Sequence, residues 1–542
     1  MTIPTDETQP LLRSVTNEGH QVYTEPVVEV IPDPELSEAA ATATGGLLTT
    51  GQTTIVDFDP AGDAENPIDW PAPFKWAVVG MLALMAFTVT MTCICVVPLA
   101  STIVSDLSPP ETTPSKSASV LLVTIWELGE AAGPLLVAPL SEMLGRYPVL
   151  NAANLVFILA GVLAATSSTV PQFVTARMLN GLAVAVNVLN PAVVGDMFAR
   201  EERGAALSLL FLAPLVGGAF GPMIGSAVAE RCGWRTVVWM AVGLASVCEG
   251  LFLVGFRETY KVAILRKRVR KLMAEESVDE DGKGRVYKTA FDEAEESELG
   301  ATTALGGGGG VSEWRKLRDA VMRPVIVLWG SGVLMAMSLF SSVVFTFFYI
   351  YSTTISDILI DLYQLSPVAA GSCFTVFSVG STISVVICNR TLDRIYMRMR
   401  FLHKGIGKPE FRLPLSIIGA LCLPLTVAAY GWAAQLRLPL LVLLFSVCAM
   451  GTSLMLAMIP VMAYVVDAFG LFSASAMTGI IVTRCLMSTF LPLATAPLVE
   501  RLGFGWGFMV LAGLSLVLAP IPMLMFRYGE VWRRKSKYSR EA

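Results

Sequence analysis

Twelve apolar stretches of about twenty residues run along this chain, near 75–98, 117–140, 148–168, 172–198, 204–229, 234–256, 325–351, 366–389, 413–434, 438–466, 472–498 and 504–527. About twenty residues of helix reach across a hydrocarbon core roughly 30 Å thick. Lipid admits a spanning backbone only where its N–H and C=O groups are paired, which leaves helices and closed barrels. The pattern predicts an all-α membrane protein with twelve transmembrane helices. Composition points the same way: 54% of the 542 residues are hydrophobic and 15% charged, whereas a soluble chain carries about a quarter charged residues. The nine cysteines lie mostly inside apolar runs without a CxxC pair, and read as small core residues. No metal, cofactor or nucleic-acid partner is expected.

Polar segments divide these spans into two sets of six. The expected domains are an acidic, disordered cytosolic tail over 1–73, a six-helix bundle over 74–256, a linker over 257–324, a second bundle over 325–528 and a basic tail over 529–542. The linker holds "RKRVRK", the acidic run "FDEAEESE" and five glycines, Gly306 to Gly310. No cleavable leader is expected, because the opening residues are polar and acidic. Lysine and arginine gather at Arg200 and Arg203, in the linker, between Arg390 and Arg412 and in "RRKSKYSR", which puts both termini and the linker in the cytosol.

An internal repeat marks the two halves. "APLSEMLGRYP" (Ala138 to Pro148) follows the second span, and "NRTLDRIYMR" (Asn389 to Arg398) occupies the equivalent place in the second half. Glu142 matches Asp393, as in the repeated bundles of secondary transporters. Short charged loops can bond neighbouring helix ends and hold one conformation, so Glu142, Gly145, Arg146, Asp393 and Arg394 form a candidate latch. The alternative is a pair of ordinary cytosolic loops.

Several motifs then carry a family resemblance. "ENPIDWPAPFKW" (Glu65 to Trp76) precedes the first span, "PLSEMLGR" follows the second, "RMLNG" (Arg177 to Gly181) lies in the fourth and "GGAFGPMIGS" (Gly217 to Ser226) in the fifth. With "GWR", "RETY", "PEFRLP" and "RYGE", they resemble a major facilitator superfamily transporter of the fungal drug-proton antiporter type. Ala138, Tyr147 and Ser226 depart from the family pattern. The resemblance covers about Asp69 to Tyr538 and implies two pseudo-symmetric six-helix bundles, alternating access and proton-coupled export. Gly217, Gly221, Pro222 and Gly225 share a face that allows close helix approach and a bend. The resemblance implies that this fifth helix lines the interface between the halves; plain helix packing is the alternative.

Ionisable residues at bilayer depth are costly and therefore functional candidates. Glu127 and Glu130 lie in the middle of the second span, and a spacing of three puts them on one helix face, about 60° apart. Two close carboxylates in a low dielectric do not both stay ionised cheaply, so the pair can hold and release a proton. Histidine is not available for this role, since His20 and His403 both fall outside the spans. That count also argues against a histidine-cluster membrane enzyme, and no enzyme activity is expected. Arg177 in the fourth span is expected to pair with Glu127 or Glu130 and to release on protonation, or else to form a permanent bridge that fixes packing. Arg484 in the eleventh span can offer charge to an anionic substrate, join a network in the second half, or simply bond carbonyls. Glu249 is expected to snorkel or to meet a partner helix.

Asn187 and Asn190, with Trp126, Phe345 and Tyr349, suggest a mixed amide and aromatic cavity for small amphipathic organic molecules. "ETQPLL" fits an acidic dileucine pattern at Glu7, Leu11 and Leu12 that a sorting adaptor could read. The expected partners are a small-molecule substrate, protons and the bilayer, with the protein a monomer. The expected location is the plasma membrane, or a vacuolar or endosomal membrane if the dileucine pattern is used. The expected function is proton-driven efflux of a secondary metabolite, toxin or drug. Export of an organic acid is the alternative, followed by a non-transporting sensor on the same fold.

Overall fold

In the computed structural model, residues 47–50, 53–59, 62–109, 115–184, 186–199, 202–276, 286–289, 313–536 and 538–539 are described. Glu7, Leu11, Leu12, Arg200 and the five-glycine run lie outside them, as does the side chain of Asn187.

The approach to the membrane is a self-bonded turn. Asn66 caps the short Pro67–Asp69 helix through Ile68 N, Asp69 accepts from Asp63 N and Asn66 Nδ2, and Trp70 Nε1 donates to Ala64 O. The first span, Ala72–Ile94, starts on Pro71, where a missing N–H costs nothing. It breaks at Val97–Leu99, around Pro98, before continuing as Ala100–Leu107. Helix ends leave carbonyls without intrahelical donors, and this break sets up the site described below.

The second, third, fifth and sixth spans are Lys116–Leu144, Arg146–Ala165, Arg203–Cys232 and Trp234–Gly255. The fourth is split into Val170–Leu182 and Val186–Met197. The second bundle opens with Glu313–Trp329, then the seventh span, Gly332–Asp357, extended by the π-helical turn Ile358–Leu362. The eighth, ninth and tenth are Pro367–Leu402, Pro414–Gln435 and Leu440–Phe469. The eleventh runs from Ser473–Phe490 through Leu491–Ala494 to residue 502, and Gly503 at φ 74° turns the chain into the twelfth. Ten helices meet length and hydropathy limits for spanning. Splitting the long 473–533 stretch at Gly503 and joining the two pieces of the fourth helix give twelve.

The two latch segments are not loops. In the first half one residue, Gly145 at φ 102°, separates two helices, and Glu258 Oε2 fills the space a Cβ would need. Matching Glu142 to Asp393 puts Tyr396 where the first half has Gly145. Without a residue suited to positive φ, the helix runs on to Leu402, and Asp393 and Arg394 stand on its exposed extension.

The tail expected to be disordered contributes two strands, Leu47–Thr50 and Thr53–Val56. Leu47–Thr50 pairs antiparallel with Thr53–Val56, which pairs parallel with Val286–Thr289 of the linker. Val56 packs with Leu265 and Val269 of the linker helix Lys261–Glu276. Arg268 of that helix reaches Asp63 at 2.9 Å and Glu65 at 3.1 Å.

Between the halves, the second helix packs on the eleventh and the fifth on the eighth. The glycine stripe on the fifth helix does not line this interface. Gly217, Gly221 and Gly225 lie against Phe87 O, Met91 O and Cys95 O of the first helix, inside the same half. Contact with the second half falls instead to Pro222 O and Ser226, which fill the space beside Gly371. Ser226, the departure from the family pattern, therefore sits at the seam.

Candidate functional site

The second helix carries Trp126, Glu127 and Glu130 into the seam between the bundles, all at most 9% exposed. Glu127 Oε1 accepts a 2.7 Å hydrogen bond from Tyr349 OH on the seventh helix. Its Oε2 is buried and has no hydrogen-bond partner among the described residues. Glu130 Oε2 accepts from Trp126 Nε1 at 3.3 Å, and Oε1 lies 3.7 Å from Arg484 Nη2 on the eleventh helix. The Arg484 guanidinium lies over the Phe345 ring at 4.2 Å, so its face is covered by a side chain of the seventh helix. One turn further out, Thr124 Oγ1 donates to Thr489 O at 3.0 Å. Glu127 is thus hydrogen-bonded to a side chain of the second half, and Glu130 lies within ion-pair range of another.

Arg177 does not join them as the sequence led us to expect. Its Nη1 and Nη2 donate to Thr92 O at 3.0 Å and Cys93 O at 2.8 Å, and its guanidinium lies 4.6 Å from the Trp126 ring centroid. The physical reason is the break in the first helix. Its last turn ends at Ile94 and leaves carbonyls in need of donors, and a cation at a helix C-terminus also meets the negative end of the dipole. Arg177 is a buried C-cap, 2% exposed, and the cation facing the carboxylates is Arg484. We expect Arg177→Lys to lower the yield of folded protein about tenfold, since a compact ammonium lacks the planar fork that reaches both carbonyls while its face lies on the indole. Adding Glu127→Gln should give no recovery, as measured by size-exclusion chromatography. Recovery would show that Arg177 and Glu127 are a charge pair after all.

Asn190 is buried with Oδ1 lacking a hydrogen-bond partner among the described residues, and the same holds for Asn180, which the sequence did not single out. Trp126, Tyr349 and Phe345, expected as cavity lining, all contact members of the charge cluster. Glu249 accepts from Asn154 Nδ2 at 2.8 Å, a partner on the neighbouring third helix.

At the end of the molecule that carries the two repeated segments, the charges knit each bundle to itself. Arg146 Nε lies 3.4 Å from Asp196 Oδ2, its Nη1 donates to Ser141 Oγ, and its ring partner is Tyr260. Glu258 Oε1 and Oε2 accept from the amides of Arg146 and Tyr147. In the second half Arg412 pairs with Asp467 and, at 3.1 Å, with Asp393. Arg146–Asp196 and Arg412–Asp467 each join the approach to the third helix of a bundle with the end of its fourth. Glu142 and Arg394, expected in the latch, are exposed instead. Asp196 and Glu258 were the missing members; "RETY" pointed to Glu258 only as a motif, and nothing marked Asp196.

Two bundles of six helices, repeated in sequence and in the ion pairs at the repeated segments and meeting around buried carboxylates, define a multi-pass membrane protein with a secondary-transporter fold. Residues 81–492 match the Major Facilitator Superfamily, and the chain belongs to that family. It is 28% identical over 521 residues to the MFS transporter cpaT of Aspergillus oryzae, covering 96% of this chain and 99% of that one. It is 29% identical over 511 residues to the efflux pump radE of Floropilus chiversii, covering 94% and 90%. Among solved structures, a D-xylose-proton symporter superposes on 83% of this chain and 97% of its own with a TM-score of 0.60 at 17% identity, a likeness of fold.

Proposed function

We propose that this protein exports a small organic compound in exchange for protons, by alternating access of the two bundles. The observation that carries the reading is the seam itself: Glu127 on Tyr349 and Glu130 near Arg484 tie one bundle to the other. Protonating either carboxylate removes the charge that holds its partner, so proton uptake and relative motion of the bundles act on the same contacts. The efflux pump among the relatives supports the outward direction. The plasma membrane is the location that fits export.

A second reading, export of an organic acid, has its own observation. The Glu130–Arg484 contact is loose at 3.7 Å, and the arginine side chain keeps 20% exposure. A substrate carboxylate could replace Glu130 on that guanidinium while Glu130 takes a proton.

The test begins with an untargeted comparison of medium from cells with and without the gene. The compound found is then offered to proteoliposomes under a pH gradient. Glu127→Gln and Glu130→Gln are each expected to lower gradient-driven transport at least about a hundredfold, the lower end of what one positioned proton-transfer group contributes. Retained pH dependence in both variants would make the pair structural, and no proton movement by the parent protein would end the antiport reading.

A further inference from the structure

Outside the central cluster, the outer ends of the two bundles enclose a cavity of about 420 Å³. Its charged members are Lys116 from the second helix, Asp357 and Asp361 from the seventh, and Glu500 from the eleventh. Lys116 lies 4.0 Å from Glu500. Neither Asp357 nor Asp361 has an ion pair within that range among the described residues. Three carboxylates face one ammonium, so the mouth favours cations.

A second observation concerns hydroxyls. Ser356 and Thr495 also line this cavity, are 5% and 1% exposed, and have side-chain oxygens without a hydrogen-bond partner among the described residues. Buried hydroxyls are rarely left this way unless something else satisfies them. One comes from each side of the seventh–eleventh helix contact, next to an apolar wall that includes Val123 and Phe504. Convergent acceptors, excess negative charge and an apolar wall within a few hundred cubic ångströms match the build of a small-molecule site.

We propose that this vestibule binds amphipathic organic amines in their protonated form, from the outer side, at a place separate from the Glu127–Glu130 cluster. The ammonium sits between Asp357 and Asp361 and donates to the two hydroxyls, with the organic body against the apolar wall. The proposal does not depend on proton coupling, because binding is read without a gradient.

The full chain in nanodiscs is titrated with dansylcadaverine, a fluorescent primary amine, and with dansyl-6-aminohexanoate, which carries the same fluorophore on a carboxylate. Empty nanodiscs supply the blank. Saturable binding of the amine and none of the acid is expected. Asp357→Asn and Asp361→Asn each weaken it about tenfold, in keeping with loss of one charge contact in a partly solvated mouth. Ser119→Trp, at a half-buried lining position, blocks the cavity without touching a charge and guards against a misfolded aspartate variant. Equal binding of both probes overturns the proposal. So does binding that survives Asp357→Asn and Ser119→Trp but disappears with Glu130→Gln, which would move the amine to the central cluster.

Discussion

Arg484→Met is expected to lower the yield of folded protein at least tenfold, and Glu130→Gln in the same chain to restore most of it. Arg484 is the cation within ion-pair range of Glu130, and both side chains are largely buried, at 20% and 12% exposure. Removing one partner of such a pair leaves an uncompensated charge and costs about 3–5 kcal/mol. That is a large part of the stability of an ordinary domain, about 5–15 kcal/mol. The glutamine removes the orphaned charge and can still accept from Trp126 Nε1, which bonds Glu130 at 3.3 Å. Fluorescence-detected size exclusion and thermal unfolding would follow both variants. A stable Arg484→Met protein, or a double variant no better than the single, would show that the two charges are not coupled. The rescued double variant should fold but exchange no protons, which separates the stability role from the transport role.

The second large effect is expected at the crossing of the second and fourth helices. A Cβ on Gly129 would fall against Met178 O and within 2.6 Å of Leu182 N, and one on Gly181 against Trp126 O. These obstacles are backbone atoms, so no side chain can turn aside. Gly129→Ala or Gly181→Ala must push the helices apart, at a cost of about 3 kcal/mol or more, the upper range for overpacking. The shift would also draw Trp126 away from the Arg177 guanidinium. Gly243→Ala and Gly250→Ala are the matched controls, since a Cβ at either meets nothing within 4 Å. They are expected to hold or raise stability by up to about 1 kcal/mol through helix propensity. Thermal unfolding that treats all four alike would remove the close crossing from the account.

Both predictions rest on features of unequal legibility in the sequence. The twelve spans were readable because length and hydropathy are sums over many residues. The run-on helix at Asp393 was readable in principle, from Tyr396 standing where the first half has Gly145. The pairing of charges was not. Sequence gives depth along a helix, and depth put Arg177 near the carboxylates. Azimuth and the neighbouring helix decide contact, and the broken end of the first helix offered Arg177 two carbonyls instead. The same gap hid Tyr349 as the donor to Glu127, since an aromatic at the right depth reads equally well as lining or core. The glycine stripe was legible as a close-packing face, but its partner, the first helix, was not.

The ion pairs at the repeated segments fasten each bundle internally, whereas the contact between the bundles includes a short set of polar contacts among the described residues, Thr124–Thr489, Tyr349–Glu127, Glu130–Arg484 and Lys116–Glu500. At about 1 kcal/mol net for each hydrogen bond and less for the exposed ion pair, these polar contacts contribute only a few kcal/mol. One proton moving down a difference of one pH unit supplies about 1.4 kcal/mol. The polar share of the preference for one orientation is therefore of the same size as the driving force across an ordinary membrane. Under the proposed proton coupling, a gradient of one pH unit would shift the balance between the two orientations about tenfold for each proton that differs between them.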